Sequence, residues 1–136
     1  MELKECLYEK EEEILALYES VGWTNYTRRP EMLRKAWEGS LLILGAWEGA
    51  RLVGVIRCVG DGASILYIQD LLVNPAHQRQ GIGSALLRAA VARYPSVYQT
   101  VLMTDATPEH LAFYRACGFT LDEELGCCGF LRMTAG

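Results

Sequence analysis

The sequence predicts an α+β fold built on a mixed, mostly antiparallel central sheet with flanking helices. Three apolar runs, residues 41–47, 52–59 and 65–73, are joined by turns too short for crossovers, which makes them an antiparallel meander. The strand, helix, strand order across residues 65–104 implies a parallel pair. Helical apolar spacing in the first forty residues places two helices ahead of the sheet.

Each element has its own signal. Ile14, Leu17, Tyr18 and Val21 recur at helical spacing over residues 9–20 and just beyond. Glu11, Glu12 and Glu13 fall in the early turns, where the helix dipole favours acids, and read as a solvated face. Gly22 ends this helix, and residues 23–27 form a polar-aromatic loop. Pro30 opens a second helix with Met32, Leu33, Ala36 and Trp37 on one face and Gly39 past its end. Residues 48–51 and 60–62 are the meander's turns. The next helix, residues 84–94, continues a stripe of Ile82, Leu86, Ala89, Ala90 and Arg93, and Pro95 stops it. Residues 97–104 are the following strand. Thr107-Pro108 opens a short helix through Ala116, capped by Gly118. Residues 119–121 and 127–133 are expected as a last pair of strands, joined by Asp122, Glu123 and Glu124. One domain is expected across residues 1–136.

Composition narrows the function. With 51% hydrophobic and 22% charged residues, the 136-residue chain can build a core without metals or disulfides. A net charge of -4 and the absence of a Lys/Arg block argue against nucleic acid as partner. No apolar run approaches the roughly 20 residues that span a bilayer. The start, Met1-Glu2-Leu3-Lys4-Glu5, lacks the basic-then-apolar order of a secretory signal. The expectation is a soluble, cytoplasmic protein with no membrane contact. Cys6, Cys58, Cys117, Cys127 and Cys128 show no C-x-x-C spacing, so buried reduced thiols are expected and no metal. Cys117, beside Gly118, is the least implausible nucleophile among them.

The most informative run is Gln78-Arg79-Gln80-Gly81-Ile82-Gly83, between an apolar strand and a helix. A helix start offers backbone N–H groups without intrahelical partners, plus partial positive charge, and suits phosphates. Glycines let the backbone approach a ligand, and Arg79 adds a charge that reaches a phosphate. A nucleotide P-loop needs a lysine after the last glycine, and none follows Gly83. A dinucleotide fingerprint needs a small residue where Leu86 stands.

Gln78, Gly81 and Gly83, after the strand ending Asp70-Leu71-Leu72-Val73, resemble the acyl-CoA loop Q/R-x-x-G-x-G/A of the GNAT acetyltransferase superfamily. A second match is Phe113-Tyr114-Arg115-Ala116-Cys117-Gly118-Phe119, which is similar to the family's late helix with a Tyr four residues before Gly-Phe. The resemblance implies a GNAT-like sheet whose parallel pair splays to admit coenzyme A, and acetyl transfer from acetyl-CoA to a primary amine. It places the pyrophosphate on Gln78, Arg79, Gln80, Gly81, Ile82, Gly83 and Ser84. It lays the backbone of Leu72 and Val73 along the pantetheine and acetyl carbonyl. Thr107 stands where many members carry an Asn that touches the coenzyme, and His110 where Ala is common. Tyr114 takes the position of the phenol that donates a proton to the departing thiolate. A phenol pKa near 10 against a thiol near 8.5 makes that transfer reasonable.

Asp70 is a carboxylate in an apolar strand, where an unpaired charge is expensive. By resemblance it accepts the amine's proton, directly or through water; a structural ion pair is the other reading. Tyr67 and Gln69 alternate with it and face the opposite side unless a bulge reorients them. The loop between the first two helices implies Trp23, Asn25 and Tyr26 as acceptor contacts, a lining suited to a small cationic amine. Alternatives are a non-catalytic acyl-CoA-binding or protein-interaction module, or transfer of a longer acyl group. A homodimer is a fair expectation from the family.

Overall fold

The computed structural model describes residues 1–134. They fall into two compact units, Met1–Met103 and the segment from Thr104 onward.

In chain order, the first unit contains β1 (Glu2–Glu5), α1 (Glu11–Ser20), α2 (Thr24–Thr27), α3 (Pro30–Glu38), β2 (Leu42–Glu48), β3 (Arg51–Gly60), β4 (Ile65–Val73), α4 (Ile82–Arg93) and β5 (Gln99–Leu102). The five strands make one sheet in the order β1-β2-β3-β4-β5. The first four pair antiparallel, and β5 pairs parallel to β4. The α+β class and the mixed sheet are therefore as the sequence predicts. No helix of the described residues is long and apolar enough to cross a membrane.

Alternation along β3 divides the interior. Val55 joins Ile14, Leu17, Tyr18, Leu33, Trp37 and Leu72 in the core under α1 and α3. Each such side chain, fully buried, stabilises the fold by roughly 1.5–3 kcal/mol. On the other face a Cβ at Gly54 would stand 3.1 Å from Ile82 Cγ2 and 3.2 Å from Leu86 Cδ1. The glycine lets α4 lie close against the sheet.

Strand β4 carries a bulge. Ile68 opposes Cys58 and Asp70 opposes Arg57, which leaves Gln69 as the extra residue. The inserted residue switches the faces of the strand. Leu66 and Ile68 share the face of Gly54, whereas Asp70 and Leu72 share that of Arg57 and Val55. Tyr67 opposes Val59 and so lies on the face of Asp70, not on the opposite one. Pairing with β5 runs only from Ile65↔Gln99 to Ile68↔Leu102. The two strands part at the bulge.

Three expectations need correction. A strand, β1, precedes the helices; Glu2–Glu5 has no apolar alternation and joins β2 through its backbone, with Lys4 lying 5.4 Å from the Trp47 ring centroid. The loop at residues 23–27 contains a one-turn helix, α2. The closing pair of strands does not form among the described residues.

In the second unit, α5 (Pro108–Ala116) begins at Thr107, whose Oγ1 accepts the His110 N–H. It ends in a Schellman turn: Phe119 N–H donates to Tyr114 O and Gly118 N–H to Arg115 O, with Gly118 at φ +92°. A single 3-10 turn, Asp122–Leu125, follows. The reason no strand pair forms is local. Asp122 accepts the N–H groups of Glu123 and Gly129 on its carboxylate and that of Cys127 on its carbonyl. A short acid that captures neighbouring donors competes with a ladder. Cys127 and Cys128, expected as buried thiols, are exposed free thiols; Cys6 and Cys58 are buried ones.

Candidate functional site

The phosphate-type loop grows directly out of β4. The Asn74 side chain accepts the Ala76 N–H at 2.9 Å and caps a 3-10 turn, Pro75–His77. Gln78 then folds back, its Nε2 donating to Val73 O at 3.0 Å. Arg79 is left-handed at φ +65°, a strained setting for a side-chain-bearing residue, and Gly81 follows at φ +81° as the N-cap of α4. No side chain caps this helix. Ala85 N–H is bonded to Gly81 O, so the donors of Ile82, Gly83 and Ser84 precede the first intrahelical bond. Ser84 Oγ accepts from Arg88 Nη1. Gln78, Arg79, Gln80 and Gly81 are exposed, and a Cβ at Gly81 would meet nothing within 4 Å. This is an accessible anion cradle.

The strand leading into it has an open edge. Beyond Ile68, β4 has no β5 partner, so apart from the Val73 carbonyl held by Gln78 the outer backbone polar groups of residues 69–73 have no strand partner and suit an extended ligand. Leu72 has its side chain buried in the core, and Val73 is half-buried and tied to Gln78. The open edge and the cradle are consecutive along the chain.

Asp70 sits beside this opening in a buried polar node. Arg57 Nε donates to its Oδ2 at 2.6 Å, Tyr18 Oη to Oδ2 at 2.8 Å and Tyr26 Oη to Oδ1 at 3.1 Å. Arg57 and Asp70 are 4% and 2% exposed, so the pair lies inside the protein. Arg57 also reaches Ser40 Oγ at 3.2 Å, and Trp37 Nε1 donates to Tyr18 Oη at 3.2 Å. Burial works against the charge of Arg57, but the adjacent Asp70 outweighs it and the guanidinium pKa rises above its ordinary value. Burial, then the charge of Asp70, pushes both Tyr18 and Tyr26 above the ordinary phenol range. Both tyrosines therefore stay protonated donors. Of the two readings of Asp70 open in the sequence, the ion pair is present, with a partner that sequence reasoning missed. The signal was there: Arg57 is the lone charge in the apolar interior of its strand, as Asp70 is in the next.

The acceptor-loop residues divide. Trp23 and Tyr26 are half-buried and pack with Tyr18, at centroid distances of 6.1 and 5.2 Å, while Asn25 is exposed. The neighbouring Gln69 side chain, at the bulge, and the charge of Arg57 work against the rise in the Tyr26 pKa. Trp23 and Tyr26 thus pack around Tyr18, and Tyr26 reaches Asp70.

Tyr114 and Thr107 belong to the second unit. Tyr114 packs edge-on against Phe113 and Phe119, at 5.0 and 6.0 Å. Burial, then nearby Cys117, raises its pKa, so it is a phenol at neutral pH. The Thr107 oxygen is engaged in capping α5. His110 is exposed, its Nδ1 near Thr104 Oγ1 and Asp105 O at 3.2 Å each.

Comparison with known proteins agrees with this geometry. The family model described as "Acetyltransferase (GNAT) domain" matches residues 8–134. An uncharacterized ycf52-like N-acetyltransferase of Prochlorococcus marinus is 33% identical over 87% of this chain and 67% of its own length. Serotonin N-acetyltransferase 2, chloroplastic, of Oryza sativa subsp. japonica is 30% identical over 71% of this chain, and the match spans only 50% of the rice protein. Among solved structures, a GNAT-family acetyltransferase from Streptococcus pneumoniae TIGR4 superposes with a TM-score of 0.88 at 41% identity, covering 99% of this chain and 98% of that one. The PaiA N-acetyltransferase of Thermoplasma acidophilum, solved with coenzyme A, shares the fold at a TM-score of 0.70 and 19% identity, over 85% and 86% of the two chains. On its sequence, its sheet and these relatives, the chain belongs to the GNAT acetyltransferase family.

Proposed function

We propose that this chain is an acetyl-CoA-dependent N-acetyltransferase that acetylates the primary amine of a small molecule directly. The observation that carries this reading is continuity. The unpaired edge of β4 leads through one 3-10 turn and the Gln78–Gly81 loop to the uncapped start of α4, with Gln78 pinning the junction to Val73. A ligand with an extended amide-bearing arm and a pyrophosphate matches that sequence of donors and acceptors.

Acetyl-CoA supplies an activated acetyl thioester. The N–H groups of Ile82, Gly83 and Ser84, with the loop from Gln78 to Gly81, hold its phosphates. Backbone groups of Leu72 and Val73 orient the pantetheine arm. Thr107 contributes its hydroxyl hydrogen at the coenzyme. Tyr114, kept protonated by burial, donates to the leaving thiolate. Asp70 acts on the acceptor side through the Tyr26 hydroxyl, which is hydrogen-bonded to it. Trp23 and Tyr26 offer aromatic faces to the amine's body, and Asn25 a polar contact at the rim.

The names of relatives cover several amine classes. The rice protein is named for serotonin, a soybean relative is called a histone acetyltransferase, and a fold neighbour from soil metagenomic DNA binds the aminoglycoside sisomicin. A small aromatic-walled loop favours a small amine over a protein tail. The test is thiol release from acetyl-CoA across arylalkylamines, polyamines and amino sugars. Turnover with one of these supports the proposal; thiol release with none of them, but with a histone-tail peptide, overturns the small-molecule part.

A further inference from the structure

We infer that Arg57 and Asp70 form a buried latch that fixes α2 against the bulge of β4, which makes Arg57 a positioning residue for the amine acceptor. The inference rests on the N-acetyltransferase reading for its functional consequence, but its structural content stands apart.

Segment α2 cannot hold itself. It has four residues, none buried, and no side chain caps its start. Its ties to the sheet run through Tyr26. That hydroxyl donates to Asp70 Oδ1 at 3.1 Å and lies 3.5 Å from Arg57 Nη2. Asp70 is in turn fixed by Arg57 Nε and Tyr18 Oη. Arg57 completes the frame by donating Nη1 to Ser40 Oγ, whose own hydrogen goes to Ala36 O in α3 at 2.7 Å. One guanidinium thus joins β3, β4, α2 and the end of α3.

The place of this frame matters. Gln69 is the inserted residue at which β4 loses its β5 partner. Asp70, whose carboxylate holds the loop through Tyr26, is the next residue along the strand. Both oxygens of Asp70 already accept hydrogen bonds from the chain, so its effect on an acceptor passes through Tyr26.

The test uses Tyr26→Phe and Arg57→Lys in the full chain. Tyr26→Phe removes one hydroxyl and keeps the ring, so folding is retained even where an Arg57 variant fails to fold. Hydrogen exchange of the amides at residues 24–28 is measured without any substrate. The latch predicts exchange about tenfold faster in Tyr26→Phe, the loss of a single hydrogen bond, with α1 and α3 unchanged. It also predicts an amine KM raised about tenfold while the acetyl-CoA KM stays within about twofold. Arg57→Lys, which keeps the charge but not the fork, should fall between wild type and Tyr26→Phe in both readouts. Unchanged exchange at residues 24–28 overturns the latch, whatever the activity. Equal rises in both KM values overturn the acceptor role. If the wild type shows no acetyl transfer at all, the functional reading falls, and the exchange experiment still decides the latch.

Discussion

Around Asp70 each charged or hydroxyl-bearing side chain has a partner within the chain, whereas the backbone donors at the start of α4, those of Ile82, Gly83 and Ser84, have been left over. Arg57, Tyr18 and Tyr26 close on one carboxylate in the interior. A few residues on, an exposed loop with two left-handed residues presents an uncapped helix start. The contrast separates two tasks. Charge that is buried and satisfied specifies geometry, and removing one member leaves the rest stranded. Donors left open at the surface add little to folding and are available to a ligand. Mutations should therefore split cleanly into those that cost stability and those that cost binding.

The largest effect belongs to the interior. Arg57→Met strands Asp70 without its cation and should destabilise the fold by about 3–5 kcal/mol, read from urea denaturation. A loss below about 1 kcal/mol would mean that the pair is not sealed from water. Next comes Gly83→Glu. An acid in the first turn of α4 suits the helix dipole, so unfolding should be unchanged or slightly harder. On the proposed reading the same carboxylate would face the phosphates of acetyl-CoA, and affinity should fall by at least ~100-fold. A joint loss of stability and affinity would break the contrast.

Tyr114→Phe should change neither stability nor binding, only the rate. Removing a general acid should lower kcat by roughly 100-fold while acetyl-CoA binding, measured by calorimetry, stays near wild type. An unchanged rate would remove Tyr114 from proton transfer.

Asp61 offers a smaller, pH-dependent effect. The Ser64 hydroxyl and then the N–H groups of Ala63, Ile65 and Ser64 hold its carboxyl well below the usual range. A depressed folded-state pKa means that the unfolded chain binds the proton more readily. The contribution is therefore complete above the unfolded value of about 4 and is lost as pH falls below it. The gap in Tm between wild type and Asp61→Ala should narrow from pH 6 to pH 3, as followed by circular dichroism. A gap that stays constant would contradict this assignment. The smallest effect is ionic: added salt should weaken acetyl-CoA binding a few-fold and leave the buried pair's contribution to unfolding intact.

How much of this was legible in the sequence follows the same division. The cradle was readable because glycines at Gly81 and Gly83 advertise backbone geometry directly, and the strand and helix around them are strongly patterned. Asp70 was readable as an anomaly in an apolar strand. Its partner Arg57 was not read, although two lone charges in neighbouring strands predict each other. The bulge at Gln69 is a matter of register between strands, and nothing in the residue types marks it. Hence the face of Tyr67 stayed conditional on a bulge, and the bulge puts it on the face of Asp70. Strand β1 was missed because four mostly charged residues carry no periodicity and pair through their backbone alone. At the other end, residues 119–121 and 127–133 do not form the expected strands, because Asp122 claims donors that a ladder needs.

The central claim is tested most directly by calorimetric titration of acetyl-CoA into wild type and Gly83→Glu, with both proteins first shown to unfold alike. One-to-one binding by wild type, abolished in the variant, is the predicted result. Equal affinity in the two proteins, or no binding by wild type at millimolar acetyl-CoA, would contradict the assignment of this loop.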